Sequence, residues 1–351
     1  MKTHKHLWEE FVSPENFLLA LKNAARGKKS KPAVAKFLKN APENLENLRQ
    51  LVMAGKFKTS AYRTMRVKDP KPRIIHILPF CPDRLVQHAL MNILTPIWRK
   101  MFISDSYACI RGRGVHSASR RVMRSVRRNR YVLQCDVRKF FPSISHDIMT
   151  AVVSRKINDK KIVAVLEEII RSMPGGMGMP IGNYTSQWFG NLYLNELDMF
   201  AKQALRARDY VRYCDDFCIF SDSREELSAM REKIRDFLAE KLHLSFSKCE
   251  IFPVRCGLDF LGYRHFPNFI LLRRRNAKKI MKTVAELRAV LLGGINPDIG
   301  FVCAMRGKMD AANGWMRHAN SHNLMKKVGF LKMNRIIRAN YVRLIAATFL
   351  I

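Results

Sequence analysis

An adjacent pair of acidic residues interrupts the apolar segment 210–220, and this pattern constrains the fold more than any other feature of the chain. The flanking residues, such as Val211 and Phe217, favour β-strands in two short blocks, which predicts a β-hairpin with Asp215 and Asp216 at its tip. Two carboxylates so close together repel each other unless a divalent cation lies between them, and Mg²⁺ prefers such oxygen ligands. Because turns favour aspartate in any protein, the pair indicates a metal site only if further ligands accompany it.

The charge of the chain is strongly one-sided, since 63 Lys and Arg residues against 29 Asp and Glu residues give a formal net charge of +34. This excess predicts a polyanionic partner, and nucleic acid fits better than a membrane because no apolar run reaches about 18 residues. A chain of 351 residues with 48% hydrophobic content can bury a substantial core. The eight cysteines lack C-x-x-C spacing and the N-terminus lacks an apolar signal stretch, so we expect reduced thiols and a cytoplasmic location.

Periodic patterns along the chain predict an α+β protein. Strands are predicted for residues 56–80, which form a basic hairpin, for 131–135 and for 244–264. Helices are predicted for residues 7–54, 82–102 with a stop near Pro96, 116–130, 147–172, 185–205, 224–241 and 273–351.

A third carboxylate accompanies the acidic pair. Asp136 follows the apolar run 131–135, and helical patterns separate it from Asp215. A single carboxylate at the end of a strand is common, but three of them supply the oxygen donors that a two-metal phosphoryl-transfer site requires.

Short blocks of sequence stand in a fixed order around these carboxylates. They are Lys71–Pro79 (KPRIIHILP), Cys135–Ile144 (CDVRKFFPSI), Tyr213–Asp216 (YCDD), Ser245–Lys248 (SFSK) and Leu258–Tyr263 (LDFLGY). In this order the blocks resemble the motifs of reverse transcriptases, over roughly residues 60–265. The resemblance implies a right-hand polymerase fold with an N-terminal helical arm (1–55), fingers (56–130), a palm with an antiparallel sheet and helices (131–265, with a fingers insertion near 150–175) and a basic helical thumb (266–351).

The resemblance also assigns roles to individual residues. It implies that the catalytic residues Asp136, Asp215 and Asp216, together with the Val137 carbonyl, hold two Mg²⁺ ions, which Mn²⁺ can replace. Nucleotide binding is implied for Lys71, Arg73, Phe141, Ile181, Gly182, Gln187 and Lys248. Primer and template binding is implied for Tyr213, Leu261, Gly262, Arg273, Arg274 and Arg275. In this assignment the Phe141 ring clashes with a ribose 2′-hydroxyl and so favours deoxynucleotides.

One block departs from the common reverse-transcriptase pattern. Where most of these enzymes have Pro-Gln-Gly, this chain has Pro180-Ile181-Gly182, followed by Ser186 and Gln187. This departure resembles the reverse transcriptases of diversity-generating retroelements. A glutamine beside the new base pair can hydrogen-bond the sugar and the template, whereas isoleucine only fills space, which weakens discrimination between correct and incorrect pairs. A purely structural alternative is that Ile181 packs against the helix that begins near Thr185.

The resemblance to that group implies copying of a structured template-repeat RNA into cDNA, with errors opposite adenine, to diversify a target gene. It further implies dNTP substrates, a primer strand, a small helical accessory protein that forms an oligomer, and a bacterial or phage origin. Two alternatives stand beside this interpretation. A retron-type or phage-defence reverse transcriptase shares the palm chemistry, although the Val-Thr-Gly triplet of retrons is missing. A non-catalytic RNA-binding scaffold is disfavoured because RNA binding alone does not require the three aspartates.

Overall fold

The computed structural model describes residues 3–68, 72–292 and 297–349. The helices are α1 (Trp8–Phe11), α2 (Pro14–Ala25), α3 (Pro32–Leu38), α4 (Ala41–Met53), α5 (Leu85–Arg99), α6 (Val115–Arg128), α7 (Phe140–Ser143), α8 (His146–Ser154), α9 (Lys160–Ile170), α10 (Ser186–Met199), α11 (Arg224–Leu242), α12 (Arg274–Leu292), α13 (Ile299–Arg317), α14 (His322–Val328) and α15 (Phe330–Phe349). The strands are β1 (Arg63–Val67), β2 (Arg73–Ile77), β3 (Tyr131–Val137), β4 (Asp209–Tyr213), β5 (Asp216–Ser221), β6 (Phe246–Pro253), β7 (Leu258–Phe260), β8 (Tyr263–His265) and β9 (Ile270–Leu272).

The chain forms two compact units. The first comprises Met1–Gly114, Leu133–Ile219 and Arg224–Ile251, and the second comprises Val115–Val132, Phe220–Ser223 and Phe252–Ile351. The proposed division into arm, fingers, palm and thumb remains a prediction.

The first unit contains a four-stranded sheet with the strand order β4-β5-β3-β6. Two of the predicted metal ligands, Asp136 and Asp216, lie on its strands β3 and β5. The strands β3 and β5 occupy its centre, and their middle residues are buried, which explains why the sequence shows nearly continuous apolar runs there. Burial decreases at the strand ends, where Asp136 and Asp216 are half-exposed. The predicted hairpin is therefore present as β4 and β5, and Asp136 lies one residue before the end of β3.

The N-terminal helices pack within the same unit through buried polar contacts. The Asn16 side-chain amide donates to the carbonyls of Phe11 and Ala89, at 2.8 and 3.1 Å, and so joins α2 to α5. The Asp159 carboxylate accepts the backbone N–H groups of Leu7 and Trp8 at 2.9 and 3.0 Å. These bonds satisfy polar groups that burial would otherwise leave unpaired.

Two helix predictions are wrong in their bounds. The helix α5 continues past Pro96 to Arg99, because Trp98 in its last turn is completely buried against the rings of Trp188 and Phe189. This packing offsets the hydrogen bond that proline cannot make. The predicted helix 147–172 is interrupted between α8 and α9, where Asp159 caps the new helix by accepting from the N–H groups at its start.

The second unit contains an antiparallel meander and a helical bundle. The strands β7, β8 and β9 pair in sequence order, with Phe260 opposite Tyr263 and His265 opposite Ile270. The strand β9 was missed, because its three residues precede a long helical pattern. The bundle α12–α15 has an apolar core that includes Leu287, Met309 and Phe330. No helix within residues 3–68, 72–292 and 297–349 is both long enough and apolar enough to cross a membrane.

Candidate active site

The backbone brings Asp136 beside the turn that carries Asp215, at one end of the four-stranded sheet. The N–H of Val137 donates to the carbonyl of Asp215 at 3.3 Å, so Asp136 on β3 lies beside the turn between β4 and β5. Asp136, Asp215 and Asp216 are all half-exposed. A half-exposed carboxylate on a rigid strand end remains able to bind a cation from solvent, whereas a fully buried one would be costly to ionise.

The side chains around Asp136 already form polar contacts. The Ser247 hydroxyl contacts the Asp136 carboxylate and lies 3.2 Å from the Asp136 carbonyl. The Lys248 ammonium on β6 donates to the Gln134 side-chain oxygen at 3.2 Å and pairs with Glu250 at 3.1 Å. Lys248 therefore lies beside the β3 strand that carries Asp136.

The donor atoms fit a magnesium ion by chemistry, since carboxylate and carbonyl oxygens are the hard ligands that Mg²⁺ prefers. Within the described residues, however, no three His, Cys, Asp or Glu side chains converge closely enough to hold a metal ion. Asp136, Asp215 and Asp216, with the Val137 carbonyl, stay the residues predicted to hold such ions. Bound ions would supply charge neutralisation on a triphosphate and a lower pKa for an attacking hydroxyl.

A buried polar network supports the carboxylate turn from within the sheet. The Arg212 guanidinium on β4 is completely buried and pairs with the buried Asp198 carboxylate of α10. Burial by itself lowers the pKa of Arg212, but the charge and hydrogen bonds of Asp198 outweigh it and raise that pKa above its usual value. Sequence reasoning missed both residues. The sequence does contain a signal that could have indicated them: Arg212 is a charged residue within the strand-forming run 210–220, and Asp198 is a charged residue within an apolar helical pattern.

The turn itself has an uncommon backbone conformation. Cys214, which precedes Asp215, has a φ of 55°, in the left-handed region that non-glycine residues seldom adopt. The carbonyl of Cys214 accepts a hydrogen bond from the Arg212 guanidinium at 3.0 Å. Tyr213, a predicted primer-binding residue, is half-exposed at the end of β4.

Phe141 lies on the short helix α7 against α10. A Cβ atom added to Gly190 of α10 would lie 3.1 Å from the Phe140 ring and 3.4 Å from the Phe141 ring. The helix thus approaches the two phenylalanines closely because residue 190 has no side chain. Phe140 is buried, whereas Phe141, the predicted sugar-checking residue, is half-exposed.

The turn Ile181–Gly182 docks on the backbone of β2. The N–H of His76 donates to the carbonyl of Ile181 at 2.7 Å, and the Arg84 guanidinium donates to the carbonyl of Gly182 at 3.2 Å. Gly182 has a φ of 127°, and a Cβ atom added there would lie 2.3 Å from the His76 carbonyl oxygen. Only glycine permits both the conformation and the approach.

Two further predicted nucleotide-binding residues, Arg73 and Gln187, lie within the described part of the chain. Arg73 is exposed at the start of β2, and its strand is the one on which the Ile181–Gly182 turn docks. Gln187 is half-exposed in the first turn of α10, and its side-chain oxygen lies 3.6 Å from the Cys109 sulfur. Lys71 lies outside the described residues.

The second unit fixes the predicted primer-binding turn. Leu261 and Gly262 both have positive φ, and the Gly262 carbonyl accepts from the Arg273 N–H at 3.0 Å and the Asn276 amide at 3.1 Å. The Arg273 guanidinium pairs with Asp259 at 2.5 Å. Arg274 and Arg275 are exposed in the first turn of α12.

An antiparallel sheet that sets two carboxylate-bearing segments side by side is the arrangement expected of an RNA-directed polymerase. The family model described as reverse transcriptase (RNA-dependent DNA polymerase) matches residues 66–265, and the chain belongs to this family. The predicted fold class, right-hand polymerase with a mixed α+β architecture, and the predicted enzyme class, RNA-directed DNA polymerase, are both confirmed.

The relatives of the chain include an intron-encoded protein and a retron reverse transcriptase. Protein YkfC of Escherichia coli K12 is 26% identical over 291 residues, which cover 69% of this chain and 75% of YkfC. The group II intron-encoded protein LtrA of Lactococcus lactis is 24% identical over 171 residues, covering 46% of this chain but only 28% of LtrA. The retron Ec73 reverse transcriptase of Escherichia coli is 26% identical over 160 residues, covering 42% and 48% of the two chains. Among solved structures, telomerase from Candida albicans matches with a TM-score of 0.48 and 11% identity, over 83% of this chain and 62% of that one.

Proposed function

We propose that this chain is an error-prone reverse transcriptase that copies a structured template RNA into cDNA and misincorporates opposite adenine, as the enzymes of diversity-generating retroelements do. The observation that carries the proposal is Ile181, which stands where most reverse transcriptases have glutamine. Its backbone is docked on β2 in the same turn as Gly182, and its apolar side chain offers no hydrogen bond. An apolar side chain there removes a polar contact that would favour a correct base pair.

In the proposed reaction the 3′-hydroxyl of a primer attacks the α-phosphate of a dNTP and displaces pyrophosphate. Asp136, Asp215 and Asp216 hold the metal ions, while Arg73, with Lys71, contacts the triphosphate through charge-assisted hydrogen bonds. Positioning and charge neutralisation supply nearly all of the acceleration in such a transfer. The loss of one metal-binding carboxylate is therefore expected to remove most activity.

The proposed partners follow from the charge of the chain. Reverse transcriptases bind template RNA, and the formal charge of +34 favours a long nucleic-acid footprint. We further propose that a small helical accessory protein assists the enzyme, and that both act in the cytoplasm of a bacterium, encoded by its own genome or by a phage.

The proposal is tested by primer extension on a defined RNA template that contains all four bases, followed by sequencing of the cDNA. Expected results are Mg²⁺-dependent cDNA and an error frequency at template adenines well above that at the other three bases. The variants Asp215→Ala and Asp216→Ala should abolish synthesis while RNA binding persists. An even, low error spectrum would instead favour the retron-type or phage-defence alternative, and RNA binding without synthesis, even with accessory protein and cognate RNA, would favour the scaffold.

A further inference from the structure

We propose that Arg212 is a positioning residue for the turn Tyr213–Asp216, and that its buried pair with Asp198 serves to aim the carboxylates rather than to stabilise the fold. The inference rests on the proposed role of Asp215 and Asp216 as metal ligands.

One arm of the guanidinium is fixed by Asp198. The Nε and Nη2 atoms of Arg212 donate to the two oxygens of the Asp198 carboxylate at 2.7 and 2.6 Å, and both side chains are 0% exposed. The Tyr210 hydroxyl donates to the same carboxylate at 2.7 Å. Asp198 thus belongs to a fully desolvated, bidentate pair with little freedom to rotate.

The other arm reaches the turn. The Nη1 atom of Arg212 donates to the Cys214 carbonyl at 3.0 Å and to the Asn191 side-chain oxygen at 3.2 Å. The Cys214 carbonyl belongs to the peptide that joins Cys214 to Asp215, so this bond sets the orientation of that peptide plane. Because Cys214 is in the left-handed region, which costs energy for a residue with a Cβ atom, the conformation needs support from its surroundings.

The backbone of Arg212 is fixed as well. Its N–H donates to the Asp105 carbonyl at 2.9 Å, and its carbonyl accepts from the Tyr107 N–H at 3.0 Å. Arg212 is therefore held at both ends, which makes it a rigid link from α10 to the carboxylate turn.

A role in stability alone explains these contacts poorly. Desolvating two charges is costly, and replacing a buried ion pair by apolar residues of similar volume is often neutral or stabilising. What apolar residues cannot reproduce is a planar set of donors that binds a carboxylate on one side and a turn carbonyl on the other. Lysine offers one compact ammonium instead of this fork, so it is not equivalent to Arg212.

The experiment compares variants that separate charge burial from positioning. In the double variant Arg212→Met with Asp198→Leu, both charges are removed, but the Tyr210 hydroxyl and the Asn191 oxygen lose their partners. Its melting temperature should therefore fall, but by less than in Arg212→Met alone, which leaves the Asp198 charge buried and unpaired. The kcat of the double variant for single-nucleotide extension should fall at least about tenfold, a barrier increase of about 1.4 kcal/mol, while the Kd for an RNA–DNA hybrid stays unchanged. Arg212→Lys, which keeps a charge beside Asp198, should also lose kcat. Tyr210→Phe is the matched control, since it removes one bond to Asp198 but leaves the Cys214 contact, and its kcat should be nearly unchanged.

A second readout does not depend on activity. Tb³⁺ luminescence reports binding of a hard trivalent ion at the carboxylates, and the signal should disappear in Asp215→Ala. Arg212→Lys should weaken Tb³⁺ binding several-fold if the turn is misaligned. Normal kcat and normal Tb³⁺ affinity in either Arg212 variant would overturn the inference. A lack of extension by the unmodified protein, with Tb³⁺ binding still dependent on Arg212, would instead count against the proposed function only.

A separate observation, the cysteine pair next to Asp136, carries a second proposal. The sulfur atoms of Cys135 on β3 and Cys249 on β6 lie 3.3 Å apart, and both thiols are free. Cys135 is completely buried, whereas Cys249 is half-exposed beside Lys248. We infer that this pair is a site of reversible disulfide modification by peroxides.

The chemistry needs one peroxide molecule and two thiols. The Cys249 sulfur attacks one oxygen of hydrogen peroxide, the O–O bond breaks, and a sulfenic acid and water form. The Cys135 sulfur then attacks the Cys249 sulfur and displaces a second water, so the two cysteines lose two electrons and two protons in total. The bridge would tie β3 to β6 at the residue next to Asp136.

The test treats the protein with hydrogen peroxide and maps its disulfides by mass spectrometry of peptides. We expect a linked Cys135–Cys249 peptide that dithiothreitol reverses, together with slower extension that recovers on reduction. The variant Cys249→Ser should lack the linked peptide and keep its extension rate after the same treatment. Oxidation of the exposed thiols Cys109, Cys256 and Cys303 without the linked peptide would overturn the proposal.

Discussion

Replacement of Gly182 by alanine should disrupt the contact between the Ile181–Gly182 turn and β2. The new methyl group would lie 2.3 Å from the His76 carbonyl oxygen, far inside the 3.4 Å at which ordinary contacts begin. The φ of 127° adds a backbone strain of about 1–3 kcal/mol. Moving the turn away from the clash would lengthen the bond from the His76 N–H to the Ile181 carbonyl, which contributes about 1 kcal/mol. We therefore expect a total loss of about 2–4 kcal/mol.

The matched control is Gly175→Ala in the preceding loop. Gly175 also has a positive φ, 89°, but a Cβ atom there has no neighbour within 4 Å. This variant should lose only the conformational strain, about 1–2 kcal/mol. Melting temperatures and denaturant midpoints of the two variants then isolate the cost of the approach to β2.

Measuring the KM for dNTP distinguishes an effect of the turn's position from a general loss of stability. Below its melting temperature, Gly182→Ala should show a higher KM for dNTP, since the turn holds Ile181 against β2, the strand that carries Arg73, and both residues are predicted to bind the nucleotide. Gly175→Ala should have the KM of the unmodified protein. Equal stability losses in the two variants, or an unchanged KM in Gly182→Ala, would show that docking on β2 does not organise the nucleotide site.

Three further predictions concern other parts of the chain. Phe141→Ala should allow incorporation of ribonucleotides, which gel analysis of extension with rNTPs would show; continued exclusion would place the sugar check elsewhere. Gly307→Ala in the exposed face of α13 should raise the stability by about 0.5–1 kcal/mol, because no atom obstructs the methyl group and glycine is unfavourable inside helices. Burial lowers the pKa of His265 from 6.5 to about 4. The unfolded chain therefore binds a proton more readily, so the contribution of His265 is fully present above pH 6.5 and is lost as the pH falls towards 4. Melting curves recorded between pH 8 and pH 4 should show this loss, and a smaller one in His265→Gln.

The sequence was sufficient to predict the carboxylate hairpin, because strand-forming residues on both sides of Asp215 and Asp216 leave few other conformations. The place of Asp136 near the end of a buried strand was also predictable, since it follows an apolar run typical of such a strand. Local patterns failed where tertiary packing decides the outcome. Nothing near Pro96 in the sequence shows that burial of Trp98 carries the helix through that proline.

The support of the site could not be predicted for a related reason. Arg212 and Asp198 lie on different elements, and only the fold shows that they form a buried pair whose second arm reaches the turn. Likewise, Gly182 resembles any loop glycine until the backbone of His76 is placed beside it. Periodicity reports on local structure and burial, whereas these contacts depend on how distant elements approach each other.

Because the Ile181–Gly182 turn is held through its backbone, a substitution at residue 181 can test the effect of this side chain on fidelity without moving the turn. The Ile181 backbone is held through its carbonyl by the His76 N–H, and the adjacent Gly182 carbonyl is held by Arg84. Neither bond involves the side chain of residue 181, which is half-exposed. Ile181→Gln should therefore change the side chain without moving the turn, and its melting temperature should stay close to that of the unmodified protein.

Under the proposed function, glutamine at position 181 should lower the error frequency at template adenines. Each recovered polar contact to a correct pair is worth about 1 kcal/mol, so a reduction of about fivefold is expected. Sequencing of cDNA from the RNA template measures this frequency, and Ile181→Val provides a control that keeps an apolar side chain. If Gln and Val give the same error spectrum while both variants remain stable and active, selectivity at adenine does not reside in this side chain, and the comparison with diversity-generating enzymes loses its physical basis.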